Sequence, residues 1–567
     1  MTVGSISNNS SEETHLRLTI GRIPIVVAVT GHRDIAPASE EQLRLAVRSK
    51  LKEIMNMFPD TPFRALSGLA EGADMIFAEA ALDMGMELVA VLPVEPETFL
   101  LDFDVPAHKD RKPEDLKSRF HELLAKCADT AIVAGSLSAG DSKRYELVGE
   151  YLVRHCHMLI ALWDGMPTTR QGGTHHVVNM ALGVEEGRGQ EQHTRKIDAP
   201  VPRLIYHLET SRQAMVQASP VWKCYPEDRH EWRSMQEPLE ELNHFSADVR
   251  MNDAFLSMEI SRIVEKITPK SCKLTQHERN TLEVYVATDS LACQLQHKIK
   301  LNIRLVYICA ICMLFSFGVY THYTDIPELL AVYLFAFVSL WLIFVYDKRL
   351  KIHDSYVNYR GIAEGMRVKF NLMLLGIPIG ESNSYSRKHS EEVTLMREAM
   401  IGLAAGSLRS KPLGLEVITN WVDDQASYFK RKSNIMASLR VRSEKISTLL
   451  YSAGVVATLI TLTYALGTKL TYHDSDIFSA AVFLMGHLAV CGALVSGYAH
   501  HMGFSQLAKE YSRMHLFYSR VQKVLTFPIG EDPLAIKNIV FEVGREALDE
   551  NAEWMAMHRE RPIDPKQ

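Results

Sequence analysis

The sequence predicts an α/β head with a mainly parallel sheet, followed by an all-α membrane region with four transmembrane helices in two hairpins and long cytoplasmic helices. Three observations point to it. Across residues 22–208, short apolar segments alternate with amphipathic ones, the pattern of a sheet covered on both faces. Beyond about Lys300, four apolar runs are each long enough to cross roughly 30 Å of hydrocarbon. Basic residues gather on the outer flanks of those runs rather than inside the hairpins.

In the head, the strands read as IPIVVAVTG, FRALSG, ELVAVLP, DTAIVAG, HMLIALWDG and RLIYHL. Helices are expected at about 39–58, 73–84 and 143–155 and from Thr174, with a long insertion between the third and fourth strands. Residues 1–20 read as a disordered lead-in, with neither the basic start nor the apolar core of a signal peptide. The segments RHEWRSMQEPLEELNHF and NDAFLSMEISRIVEKI read as amphipathic helices that link head to membrane.

In an open parallel sheet the ligand sits beyond the carboxyl ends of the strands. The loops at 30–34, 67–74, 93–97 and 163–174 are therefore the candidates. VTGHRD offers Gly31 for close backbone approach, Arg33 as a bidentate donor to phosphate or carboxylate, and Thr30, His32 and Asp34 as hydrogen-bonding groups beside them. SGLAEGAD places Ser67, Gly68, Glu71, Gly72 and Asp74 in a glycine-rich turn at a helix start, where free amides and the helix dipole favour an anion. RQGGTHH repeats that logic with Arg170, Gly172, Gly173 and Thr174. Trp163 and Asp164 are either a stacking face and an acceptor for a ribose or base, or a core tryptophan and a turn aspartate. A tight turn with a cap accounts for any one of these loops. Three of them at three strand ends point to a single phosphate-bearing nucleotide as ligand.

The apolar runs span 303–320, 326–346, 449–466 and 477–498. Lys298, Lys300 and Arg304 border the first, Lys348, Arg349 and Lys351 follow the second, and Lys430, Arg431, Lys432, Arg440, Arg442 and Lys445 precede the third. This bias places all soluble parts in the cytoplasm. Ser452, Thr458 and His487 are the polar groups that could face a pore or bond between helices, while Gly492 and Ser496 give small residues four apart for helix contact. YVNYRGIAEGMRVKF after the second run and GFSQLAKEYSRMHLFYSRV after the fourth suggest a duplicated unit of helix, two spans and a long cytoplasmic helix. A conduit through four such spans would require a homo-oligomer.

The net charge of -6 over 567 residues argues against a dedicated nucleic-acid binder. Eight cysteines without framework spacing suit a reducing compartment, and Cys309 and Cys312 inside an apolar run read as packing rather than metal or redox chemistry. His155, Cys156, His157, His175 and His176 have metal-ligand identities, but neighbours on a strand point to opposite faces, so no metal and no cofactor are expected. No P-loop, nucleophile elbow or HExxH motif occurs.

The block SGLAEGADMIFAEAALDMGMELVAVLP resembles the glycine-rich block of the DNA-processing protein DprA, and VTGHRD resembles that protein's first strand and glycine-arginine loop. GGT is similar to the phosphate loop of the LONELY GUY phosphoribohydrolases. These belong to the SLOG superfamily of Rossmann-like nucleotide binders, which includes sensors of nucleotide signals. The membrane region resembles the two-span SLATT domains that bacteria join to nucleotide-sensing modules in conflict systems. On this resemblance residues 21–270 form a SLOG-like domain, 275–440 a first SLATT-like unit and 441–567 a second. It implies a bacterial inner-membrane protein used in antiphage defence, with a nucleotide second messenger as ligand and a nucleotide cyclase or TIR-type enzyme as the source of that messenger. The enzyme branch carries a glutamate three residues after its GT pair. Here Thr174 is followed by His175, His176 and Val177, which disfavours hydrolase chemistry, although Glu71 or Asp74 could stand in as an acid or base.

Three functions stay open on the sequence: a nucleotide-gated membrane effector, a membrane-anchored nucleotide-processing enzyme, and a scaffold with a vestigial pocket. The missing glutamate favours the first, with no residue assigned a catalytic role.

Overall fold

The computed structural model of the protein describes residues 20–133, 141–168, 172–184, 202–210, 221–267, 273–322, 326–377, 393–406, 415–468, 476–526 and 533–559. The expected lead-in lies outside them except for Ile20.

Six parallel strands, β1 (Ile25–Gly31), β2 (Phe63–Ser67), β3 (Glu87–Leu92), β4 (Asp129–Ile132), β5 (Met158–Trp163) and β6 (Leu204–Glu209), and an antiparallel edge strand, β7 (Trp222–Tyr225), form one sheet. The order is β4-β3-β2-β1-β5-β6-β7. Central β1 is buried from Ile25 to Thr30 because every position must face a covered side of the sheet, which explains its unbroken apolar run. Val27 pairs with Ala65 on one side and Met158 on the other. The chain winds outward from β1 to β4 and then returns to place β5 on the other flank of β1, so the strand order reverses between β1 and β5.

Helices α1 (Glu40–Met57), α2 (Ala73–Asp83), α3 (Pro113–Ala125), α4 (Asp141–Arg154) and α5 (Thr174–Ala181) accompany the sheet. Ala73, Ala78, Ala80 and Ala81 are buried in α2, and their small side chains let that helix lie close to the strands. Elements not expected from the sequence include β7, and α3, which lies inside the segment expected only as an insertion. Next come α6 (Arg229–Met251), capped by Asp228 through the amides of His230 and Glu231 at 2.8 and 2.9 Å, and α7 (Asp253–Ile267).

Helices α8 (Gln276–His322), α9 (Glu328–Leu350) and α10 (Ile352–Leu374) have 47, 23 and 23 residues. After α11 (Thr394–Gly402), helices α12 (Leu415–Thr468), α13 (Asp476–His501) and α14 (Phe504–Thr526) repeat that order with 54, 26 and 23, before α15 (Pro533–Arg559). Four helical stretches, 276–321, 328–350, 417–467 and 478–526, are long and apolar enough to cross a membrane. The compact units cut across the linear segments. One contains the described residues of 1–291, 358–413 and 541–556, and the other those of 292–357, 414–540 and 557–567. Helices α8, α10 and α15 therefore contribute residues to both.

Within the first unit, α11 seats against the amino end of the sheet. Val26 N–H donates to His157 Nδ1 at 2.8 Å, and His157 Nε2 lies 2.9 Å from the Glu398 carbonyl, so a neutral ring protonated on Nε2 satisfies both. Burial pushes the His157 pKa down, against the pull of Glu398, and keeps the ring neutral. Burial also works against the Glu398 carboxylate, but Arg203, with Arg397 and His157, outweighs it and holds its pKa below the usual range. Arg64 reaches the carbonyls of Gly402 and Ala405 at 3.4 Å while pairing with Glu87 at 2.9 Å.

In the second unit, α12 packs along α13 and α14. His487 Nδ1 lies 2.7 Å from the Phe483 carbonyl of its own helix and Nε2 lies 3.2 Å from the Leu314 carbonyl of α8, so this side chain ties two helices together. Gly492 takes the Tyr451 ring against its backbone, and Ser447 Oγ donates to the Gly492 carbonyl at 3.1 Å. Thr458 donates to Gly454 within its helix at 2.8 Å, whereas Ser452 and Ser496 are exposed on the chain.

A Cβ on Gly402 would lie 2.6 Å from the Pro24 carbonyl oxygen. Gly402→Ala is expected to destabilise the first unit by about 1–3 kcal/mol through overpacking, read as a lower melting temperature of the full chain in detergent.

Candidate functional site

The strand order reverses between β1 and β5, and the carboxyl edge of the sheet at such a reversal is the usual ligand position in this kind of fold. Thr30 and Gly31 end β1 beside Ala161 and Leu162 of β5. A Cβ on Gly31 would lie 2.6 Å from the Leu162 carbonyl oxygen, so the loop leaves the strand only through glycine. His32 is buried; its main-chain amide donates to Leu162 O at 3.0 Å, and its Nε2 accepts from Asp164 N–H at 3.1 Å. The Asp164 carboxylate lies 3.2 Å from the same nitrogen and accepts from Met166 N–H at 3.0 Å. The first and third loops are thereby fastened to each other across the crevice.

The second loop locks to the first by backbone. Ala73 N–H donates to His32 O at 3.0 Å, and Gly72, at φ +86°, brings its Cα so close that a Cβ would lie 2.5 and 2.6 Å from the His32 and Arg33 carbonyl oxygens. Ser67 Oγ donates to Asp74 O at 2.9 Å and accepts from Leu69 N–H at 3.2 Å, while Ala70 N–H turns toward the Asp74 carboxylate at 3.4 Å. A Cβ on Gly68 would lie 2.7 Å from that carboxylate.

These bonds correct two expectations. The amides of Leu69, Ala70 and Ala73 serve the loop itself and are not free for an anion. Glu71 is also withdrawn from the crevice: its buried carboxylate accepts from Ala107 N–H at 2.6 Å and His108 N–H at 3.3 Å and lies 3.3 Å from Arg111 Nε. Arg111 in turn bonds the Ile35 carbonyl at 3.0 Å and pairs with Glu40, so Glu71 anchors the insertion after β3 rather than a ligand. The sequence hides this because the partners lie more than thirty positions away.

Arg33 remains as the donor. It is half-buried, its Nε is buried with no hydrogen-bond partner among the described residues, and its guanidinium carbon lies 5.9 Å from the centroid of the Tyr145 ring on α4. Tyr145, which sequence reasoning missed, is held by a hydrogen bond to Asp102, and burial together with that bond raises its pKa. Asp74 stands in the electrostatic field of Arg33. Burial raises the Asp74 pKa to about 7, against the opposing effects of Ala70 N–H and Arg33. A carboxyl that is partly protonated near neutral pH can donate to an anionic oxygen instead of repelling it, so Arg33 and Asp74 together suit a phosphate.

The remaining residues are placed as follows. Asp34 is half-buried beside Arg33. Trp163 packs at the rim of the core with its ring 5.7 Å from His175 and 5.4 Å from His207. Gly173 precedes α5 in an extended conformation, Thr174 begins it, and Gly172 N–H donates to His176 Nδ1 at 3.1 Å. Arg170 lies outside the described residues. His155 stacks on Tyr151 and Cys156 is buried. Among the described residues no group of three or more His, Cys, Asp or Glu could hold a metal ion. Comparison of the chain with protein-family models, curated proteins and solved structures finds no match.

Because the folded-state pKa of Asp74 is raised, the folded head holds this proton more tightly than the unfolded chain. The stability it lends is lost as pH rises from about 4 through about 7. Asp74→Asn is expected to raise the melting temperature at about pH 8 and change it little at about pH 4; an equal change at both would contradict the assignment.

Proposed function

We propose that the protein is a membrane effector whose head binds a nucleotide-derived signal in the β1–β5 crevice and whose spans respond by changing their packing, as a channel or by permeabilising the membrane. The observation that carries this reading is Arg33, a cationic donor whose buried Nε has no hydrogen-bond partner among the described residues, set over Tyr145 and in the field of a carboxyl of raised pKa at the strand-order reversal. The same chain supplies four helices able to cross a bilayer. Helices α8, α10 and α15, shared by both compact units, are continuous backbone along which a preference for one arrangement can pass. Coupling requires only that the ligand bind one arrangement of the spans better than another.

The SLOG and SLATT resemblances supply the rest of the proposal: a nucleotide second messenger, made by a cyclase or a TIR-type enzyme, and a homo-oligomer in the bacterial inner membrane with its soluble parts cytoplasmic, acting in antiphage defence. The full chain in detergent, titrated with a panel of cyclic and linear nucleotides in a calorimeter, is expected to bind one class, and Arg33→Ala to weaken that binding by about tenfold or more without lowering the melting temperature. Unchanged affinity in the variant would remove the crevice from the account.

A second reading has one observation in its favour. Asp74, with a pKa of about 7, is poised as a general acid or base beside Arg33, as a nucleotide-processing enzyme would need. Chromatography of the nucleotide panel after incubation with wild-type and Asp74→Asn protein decides between the two. Turnover that disappears in the variant establishes the enzyme, and intact nucleotides in both remove it.

A further inference from the structure

The second compact unit holds a cavity of about 120 Å³. Its walls come from chain segments bordering three of the four apolar runs: Gln296, Lys300 and Ile303 lead into the first, His353 and Tyr356 follow the second, and His501 follows the fourth. His558, near the end of α15, completes it. In a spanning hairpin these positions fall at one and the same membrane surface, the level of lipid phosphates.

Among the described residues the lining carries one lysine and three histidines and no aspartate or glutamate. Gln296 fixes the polar end, accepting from Lys300 Nζ at 2.9 Å and donating to Tyr356 Oη at 2.8 Å. Lys300 also lies within the repulsive field of Lys432 and Arg304, so cationic charge is concentrated rather than cancelled here. His353 Nε2 lies 2.7 Å from the His558 carbonyl and must donate to it, while its Nδ1 is buried with no hydrogen-bond partner among the described residues and can donate to an anionic oxygen only when the ring is an imidazolium. The Asp347 and Asp354 carboxylates interact electrostatically with one another, and Asp347 with His353, but neither lines the cavity. Ile299, Ile303 and Leu507 add apolar lining. A space larger than a single water, lined by a lysine, histidines and aliphatic side chains together, fits a phosphate joined to something greasy better than it fits solvent.

We propose that this cavity binds a phosphate group through Lys300 and His353, drawn from an anionic lipid headgroup or from a soluble phosphate, and so ties the packing of the spans to phosphate chemistry at the membrane surface. The site is independent of the nucleotide crevice, and either can fail without the other.

The test uses the full chain in detergent and follows its melting temperature during titration with phosphatidylglycerol, phosphatidylcholine or inorganic phosphate. Phosphatidylglycerol is expected to stabilise at lower concentration than phosphatidylcholine. The double substitution Lys300→Gln with His353→Gln is expected to raise the half-saturating concentration by about tenfold or more, whereas Lys300→Arg preserves it. A response to phosphatidylglycerol alone identifies the headgroup as the source, a response to inorganic phosphate as well identifies a soluble one, and both support the site. Equal stabilisation by the two lipids with no response to phosphate overturns it. So does an unchanged half-saturation in the double variant, or in Lys300→Gln alone if the double variant does not fold.

Discussion

The head depends on a backbone contact that only glycine permits. At Gly72 the chain runs so close under the carbonyls of His32 and Arg33 that a methyl group would overlap both, at a φ that other residues avoid. That contact, with the Ala73 N–H to His32 O bond, fixes where the β1 loop ends, and the bonds between His32 and Asp164 fix it from the β5 side. Arg33 is the residue after this double anchorage, and its guanidinium lies over the Tyr145 ring. In the second loop the Leu69 and Ala70 amides bond within the loop itself, and the Ala73 amide bonds to the first.

The opposite edge of the sheet has a different task. There α11 is docked by main-chain carbonyls accepting from Arg64 and His157, and by a buried carboxylate, Glu398, facing Arg203. A buried charge cluster of this kind contributes little net stability but tolerates few alternative arrangements, because removing either partner strands the other. Residues 358–413 belong to the same compact unit as the sheet although the first two spans precede them in sequence. The chain thus leaves the first unit, runs through two helices long and apolar enough to cross a membrane, and returns to seat a helix under the sheet.

Much of this was legible in the sequence and some of it was not. The six parallel strands announced themselves because strands covered on both faces read as unbroken apolar runs, and the candidate spans did so by length alone. Strand β7 did not, since it has four residues of mixed character that become a strand only by pairing with β6. Helix α3 hid inside an insertion between β3 and β4. The role of Glu71 was misread because a carboxylate beside two glycines looks like a ligand contact, and only the return of residues 107–111 in space shows what it accepts from. Arg33 was legible as a donor, but its Tyr145 platform lies far along the chain, and its raised-pKa neighbour Asp74 depends on burial that no local pattern encodes. His487, singled out as a titratable group inside an apolar run, lies against a carbonyl of α8 and so joins two helices.

The central claim is that occupation of the head changes the spans. It is tested most directly by reconstituting the full chain in proteoliposomes and recording membrane conductance before and after adding the nucleotide that the crevice binds. The account predicts conductance that saturates with the same concentration dependence as binding, because a ligand shifts an equilibrium only by its differential affinity for the two states. Saturated binding with a silent, unchanged membrane would contradict it.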